Sequence, residues 1–101
     1  MEPEAIEADL QRFLGEVLRL EIAPVDRDLE LVSDGHIDSM DLVRLAGHLE
    51  ELLGIEIPDD DVGDEHFGSI ARMLAYAQRR AAQRRAAQSR TQGRPDADRD
   101  G

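Results

Sequence analysis

SDGHIDSMDLVRLAGHLEELLG, residues 33–54, is irregular and polar as far as Asp38 and takes on a helical period from Ser39. Leu42, Leu45, Ala46, Leu49, Leu52 and Leu53 recur at steps of three and one, which places them on one face of an α-helix. Gly54 follows the last of them and reads as the helix stop, because glycine enters the left-handed region without a side-chain clash. The Asp38-Ser39 pair reads as the start, where a short oxygen-bearing side chain satisfies an unpaired backbone N–H.

Upstream, Ile6, Leu10, Phe13, Leu14, Val17 and Leu18 form a second apolar stripe, and the spacing predicts a helix from about Pro3 to Arg19. Pro3 suits the first turn, and Glu2, Glu4 and Glu7 favour the positive helix end. Between the two helices the period is lost. Pro24, Asp26, Asp28, Asp34 and Gly35 make a long connection pinned by Ile22, Leu29, Leu31 or Val32, and Ile37. A loop of that length in so small a domain points to function.

Downstream, Ile55, Ile57 and Pro58 suggest an extended crossing, Asp59 to Asp61 a solvated corner, and Asp64 to Phe67 a single turn burying Phe67. Ser69 reads as an N-cap for a last helix carrying Ile70, Met73, Leu74 and Ala77. The expected fold is all-α: a small antiparallel bundle of three main helices and one short helix, with no sheet. The expected core takes Ile6, Leu10, Phe13, Leu14, Val17, Leu45, Leu49, Leu52, Ile57, Phe67, Ile70 and Leu74.

The chain has 101 residues and a net charge of −11, and its charge is divided unevenly. Residues 1–71 carry −16, which repels nucleic acid, whereas residues 72–101 carry +5. That division separates a domain over residues 1–78 from a basic extension over 79–101. The extension repeats AQRRA at 77–81 and 82–86 and continues as AQSRT at 87–91, and its alanine, glutamine and arginine favour helix. A five-residue period spreads Arg79, Arg80, Arg84, Arg85 and Arg90 around the axis, so no membrane-binding face results. Helix is expected to about Ser89 and disorder from Gly93 onward. The basic extension either lies solvated, docks an acidic partner or shields the acidic body.

With three aromatics and no cysteine, the core is aliphatic and modest, and disulfides, thiolate nucleophiles and cysteine-based zinc sites are excluded. No run of about 18 apolar residues and no basic-then-apolar leader occurs, so a cytoplasmic, monomeric protein without a membrane span is expected.

The polar cluster from Asp34 to Asp41 carries the residue types that chemistry would need. A hydrolase built on Ser39 fails because Ile37 and Asp41 stand where a nucleophile elbow needs glycines, and neither His36 nor His48 is supported as a base. Asp34, His36 and Asp38 make a poor metal cage, and Asp59 to Asp64 lacks the glycine and distal glutamate of a calcium loop. Solvated loop charge and an ordinary N-cap account for these residues taken singly.

Taken together they do not stand singly. Leu31 to Leu42, then Leu49 to Asp59, then Phe67 to Ile70 resemble, in order and spacing, the acyl and peptidyl carrier proteins. The resemblance spans about residues 4–78 and implies an acyl-carrier-protein-like bundle that is not an enzyme. It implies that a phosphopantetheinyl transferase attaches the 4'-phosphopantetheine of coenzyme A to Ser39, next to Asp38 and Met40. The arm's thiol would hold an acyl or aminoacyl group as a thioester, loaded by a ligase and passed to a downstream synthase or transferase. The implied partner surface comprises Asp38, Met40, Asp41, Val43, Arg44, Gly47, His48, Glu50 and Glu51, with the acidic groups on the solvent face meeting basic partners. Arg44 and Gly47 depart from the family's commoner residues. With the Gly-His-Ile-Asp-Ser form, they point to a carrier serving a dedicated ligase, in secondary metabolism or aminoacyl transfer. An unmodified adaptor acting through its acidic helix is the alternative. The cargo is not legible, because recognition sits mainly in the loading enzyme.

Overall fold

The fold was established from a computed structural model, which describes residues 2–93, and side chains as far as Ala87. Helix α1 runs Pro3–Glu16, α2 Ser39–Leu53, α3 Asp64–Phe67 and α4 Ile70–Gly93, with a 3-10 turn at Asp59–Asp61. No strand occurs among the described residues. The three long helices and short α3 form the expected all-α bundle, with α4 packed against the other three.

Helix α1 opens on Pro3, and the Ile6 N–H reaches back to the Glu2 carbonyl. It ends three residues before the predicted Arg19. Arg19 takes φ +62°, and the Leu20 N–H then turns back onto the Leu14 carbonyl. Val17 stays on the helical track, its N–H bonded to the Phe13 carbonyl, but at the helix end it lines an open hollow with Arg44, Gly47 and Glu51, so this expected core residue is 45% exposed. Ile22 in the next segment is exposed too, and Leu52 is only partly buried. The other ten expected core residues are buried, together with Val25, Leu31, Ile37, Leu42, Ala46, Met73, Tyr76 and Ala77.

The long connection from Val17 to Asp38 is stitched to the bundle by backbone mimicry. Gln11 donates from Nε2 to the Val25 carbonyl at 2.7 Å and accepts the Val25 N–H on Oε1 at 2.8 Å. Leu31 N–H bonds the Gly68 carbonyl, Ala71 N–H bonds the Arg27 carbonyl, and Arg72 forms a two-pronged bridge to Glu30 at 3.1 Å on each arm. The bonds to Val25, Leu31 and Gly68 satisfy buried backbone groups that no helix serves, and the Arg72–Glu30 bridge adds a side-chain tie.

Ser69 caps α4, its hydroxyl accepting the Arg72 N–H at 3.2 Å. The helix continues to Gly93, beyond the predicted Ser89, as the alanine, glutamine and arginine run allows. Gly93, where the sequence predicts disorder to begin, is instead the last helical residue; the rest of that expectation falls on residues 94–101, outside the described residues.

Candidate functional site

Ser39 is the first residue of α2, and the side chains on either side of it hold it there. Asp38 caps the helix, accepting the Asp41 N–H at 2.9 Å, while the Asp41 carboxylate accepts the Asp38 N–H at 3.2 Å. This reciprocal box satisfies two backbone donors at once. Before it, Gly35 at φ +79° lets the chain double back, so that the His36 and Ile37 N–H groups both reach the Leu31 carbonyl. Buried Leu31 and Ile37 anchor that loop beneath an exposed Ser39. Among the described residues the Ser39 hydroxyl has no hydrogen-bond partner, and His48 and His66 bond elsewhere.

An open cleft of about 440 Å³ begins at Ser39. Leu42, Val43, Ala46, Gly47 and Glu50 form its α2 side; Ile57, Asp59 and Val62 form the opposite wall. Of the cleft residues, the sequence had suggested Val43, Gly47 and Glu50 for a partner surface. Ile57 was expected in the core, and Leu42 and Ala46 on the helix face. That Asp59 and Val62 line a cavity was not foreseen, since their segment carries no period.

The predicted partner residues divide. Met40 is 69% and Val43 64% exposed, large fractions for apolar side chains, and Asp38, Arg44 and Glu51 are exposed around them. Asp41 and Glu50 are half-buried instead of standing free on the solvent face: Asp41 closes the capping box, and Glu50 Oε2 accepts the Ile57 N–H at 2.7 Å. His48 is turned toward α1, stacked on Phe13 with ring centroids 4.4 Å apart and hydrogen-bonded through Nε2 to Asp9. Burial alone would raise the Asp9 carboxyl, but hydrogen bonds from Arg12 and His48 outweigh it and hold it below the usual range. His48 therefore joins α1 to α2 and faces away from chemistry at Ser39. Among the described residues no group of three or more His, Asp or Glu is arranged to hold a metal ion, and no helix is long and apolar enough to cross a membrane.

A hydroxyl here suits a phosphodiester. The N–H groups of Ser39 and Met40 have no partner among the described residues, and the positive end of α2 favours an anion on the serine oxygen. The exposed approach admits a bulky modifying enzyme, and the cleft offers an apolar-sided place beside the attachment point for whatever the new group carries.

Known proteins agree with that chemistry. The family model described as a phosphopantetheine attachment site matches residues 8–77. The acyl carrier protein of Helicobacter pylori strain G27 is 41% identical over 74 residues, covering 73% of this chain and 92% of that protein. The acyl carrier protein of Helicobacter acinonychis strain Sheeba is 43% identical over 74 residues, with the same coverage of each chain. A helical bundle that presents an unpartnered serine at a helix start, with a matching family model over most of its length, leaves one assignment: the chain belongs to the phosphopantetheine-dependent acyl carrier proteins, carriers and not catalysts, which work through a covalently attached 4'-phosphopantetheine.

Proposed function

We propose that Ser39 is the residue that carries the arm, and that this carrier holds an acyl or aminoacyl group for dedicated partner enzymes of secondary metabolism. The carrying observation is the exposed, unpartnered Ser39 hydroxyl at the first position of a helix whose start is fixed by Asp38 and Asp41. Bound there, phosphopantetheine supplies a terminal thiol that forms a thioester, the nucleophile this cysteine-free chain lacks.

The chain's own part is positional. Ser39 Oγ would form the new bond to the phosphopantetheine phosphorus as the pyrophosphate P–O bond of coenzyme A breaks and adenosine 3',5'-bisphosphate leaves, the serine proton going to a base of the transferase. The first-turn N–H groups and the positive end of α2 receive the phosphodiester charge. Met40 and Val43, ringed by Asp38, Arg44 and Glu51, offer an apolar centre with a charged rim to the transferase, a ligase and a downstream synthase or transferase. The small, open position at Gly47 and the charge at Arg44 support partners of a dedicated pathway.

Incubation with coenzyme A and a broad-specificity phosphopantetheinyl transferase should add one phosphopantetheine by intact mass. Ser39→Ala should abolish the addition while leaving helical circular dichroism unchanged. Modification of the Ser39→Ala protein would overturn the assignment, and an unmodifiable native chain would favour the adaptor role.

A further inference from the structure

A polar network lies at the other end of α2, where α4 runs past the family-matched residues 8–77. Tyr76 is 2% exposed, and its hydroxyl donates to Asp61 Oδ2 at 2.7 Å while accepting from Arg80 Nη1 at 2.7 Å. The second arm of that guanidinium, Nη2, donates to the Glu56 carbonyl at 2.7 Å. One turn on, Arg84 Nη1 donates to the carbonyls of Leu53 at 3.0 Å and Gly54 at 2.8 Å. Helix α2 has no basic residue in its own last turn, so Arg84 brings from α4 the cation that its unpaired terminal carbonyls favour. Gly54, at φ +66°, sits so close beneath Arg84 that a β-carbon there would lie 2.9 Å from Nη1.

The segment gripped in this way is the outer wall of the Ser39 cleft. Ile57, Asp59 and Val62 line the cleft, and the chain that bears them hangs between the end of α2 and the start of α3. Apart from the core packing of Ile57, it is tied at its ends, Gly54 and Ile55 N–H to the Glu50 carbonyl, Ile57 N–H to the Glu50 carboxylate and Phe67 N–H to the Gly63 carbonyl, and within itself by Asp61 N–H to the Pro58 carbonyl and Val62 N–H to the Asp59 carbonyl. Arg80 and Arg84 hold it from outside at residues 53, 54 and 56, and through Tyr76 at residue 61.

We propose that Arg80 and Arg84 are positioning residues that fix the outer wall of the cleft beside Ser39, so that the basic C-terminal helix sets the space open to an acyl chain on the arm. The consequence for cargo rests on Ser39 as the attachment residue; the bracing itself does not. A guanidinium suits the task because its planar fork donates in two directions at once, to Tyr76 and to Glu56, where an ammonium is a point charge. The arginines that the five-residue repeat scatters around the helix are four apart at Arg80 and Arg84, which returns these two to one face.

The test uses the full chain. In the unmodified protein, Arg80→Ala combined with Arg84→Ala should raise amide exchange across residues 57–62 on the order of tenfold. Exchange in α1 should stay unchanged, and Arg80→Lys alone should retain part of the protection. With an octanoyl group loaded on the arm, attack on the thioester by a free thiol should quicken in the double variant by a comparable factor. Unchanged exchange at residues 57–62, or a rise shared equally by α1, overturns the brace. Raised exchange with an unchanged thiol rate overturns control of the cargo space. Failure of the arm to attach at Ser39 overturns the functional reading while the exchange result still judges the brace.

Discussion

Asp9 carries more of the α1–α2 contact than its position on a polar helix face suggests, since it accepts from both Arg12 and His48. Its carboxyl is held below the usual range, so its contribution is present above the unfolded value of about 3.9 and is lost as pH falls through the folded value. Asp9→Asn should cost about 1 kcal/mol at pH 7, and the gap from the native protein should close on acidification below about pH 4. Denaturant titrations at both pH values check this, and a gap that stays constant would assign the loss to packing. Gly47 is a different case, because a β-carbon there would meet nothing within 4 Å. Gly47→Leu should therefore stabilise α2 by about 0.8 kcal/mol through helix propensity. Because Gly47 lines the cleft, the same change should shrink the room for cargo and speed thiol attack on an octanoyl thioester. Greater stability with undiminished protection would place the acyl chain elsewhere.

At the scale of the element, α2 presents two kinds of acid. Asp41 and Glu50 are tied into the capping box and the cleft wall, so reversing either disturbs structure as well as charge. Glu51 is exposed, as are Asp59 and Asp60 across the cleft, and these are the groups free to steer a basic partner. Loading by the transferase should slow with salt, as the Debye length falls from about 10 Å at 0.1 M to about 3 Å at 1 M. Glu51→Arg should slow it at low salt without altering the melting temperature. Rates that ignore both salt and Glu51→Arg would assign the encounter to exposed Met40 and Val43.

Across the whole molecule, the extension and the bundle meet through arginine and backbone carbonyls. Deleting residues 79–101 removes Arg80 and Arg84 together, whereas deleting 82–101 spares Arg80 and its bonds to Tyr76 and Glu56. The longer deletion should lose on the order of 1 kcal/mol, or about 4–8 °C in melting temperature, and the shorter one less. Both should still accept phosphopantetheine, because Ser39 and the α2 start lie at the opposite end of that helix. Thermal melts with intact-mass analysis check the pair; equal melting temperatures for all three chains would make residues 79–101 a solvated appendage.

Much of this architecture was legible from local pattern alone. Apolar spacing marked α1, α2 and the first turns of α4; Asp38, Ser69 and Gly54 marked their ends; and the blocks around Ser39 marked the family. Each of these depends on residues within a turn or two of one another, where helical period and capping act. Tertiary structure decided what depends on distant partners. Val17 was left open beside Arg44 and Gly47, Gln11 was matched to Val25 across the connection, and Glu50 was drawn inward by Ile57. Arg84 found the end of α2 30 residues back along the chain. No local period encodes such contacts, because a carbonyl at a helix end offers every arginine the same acceptor, and only the packing of α4 on the bundle determines which one arrives.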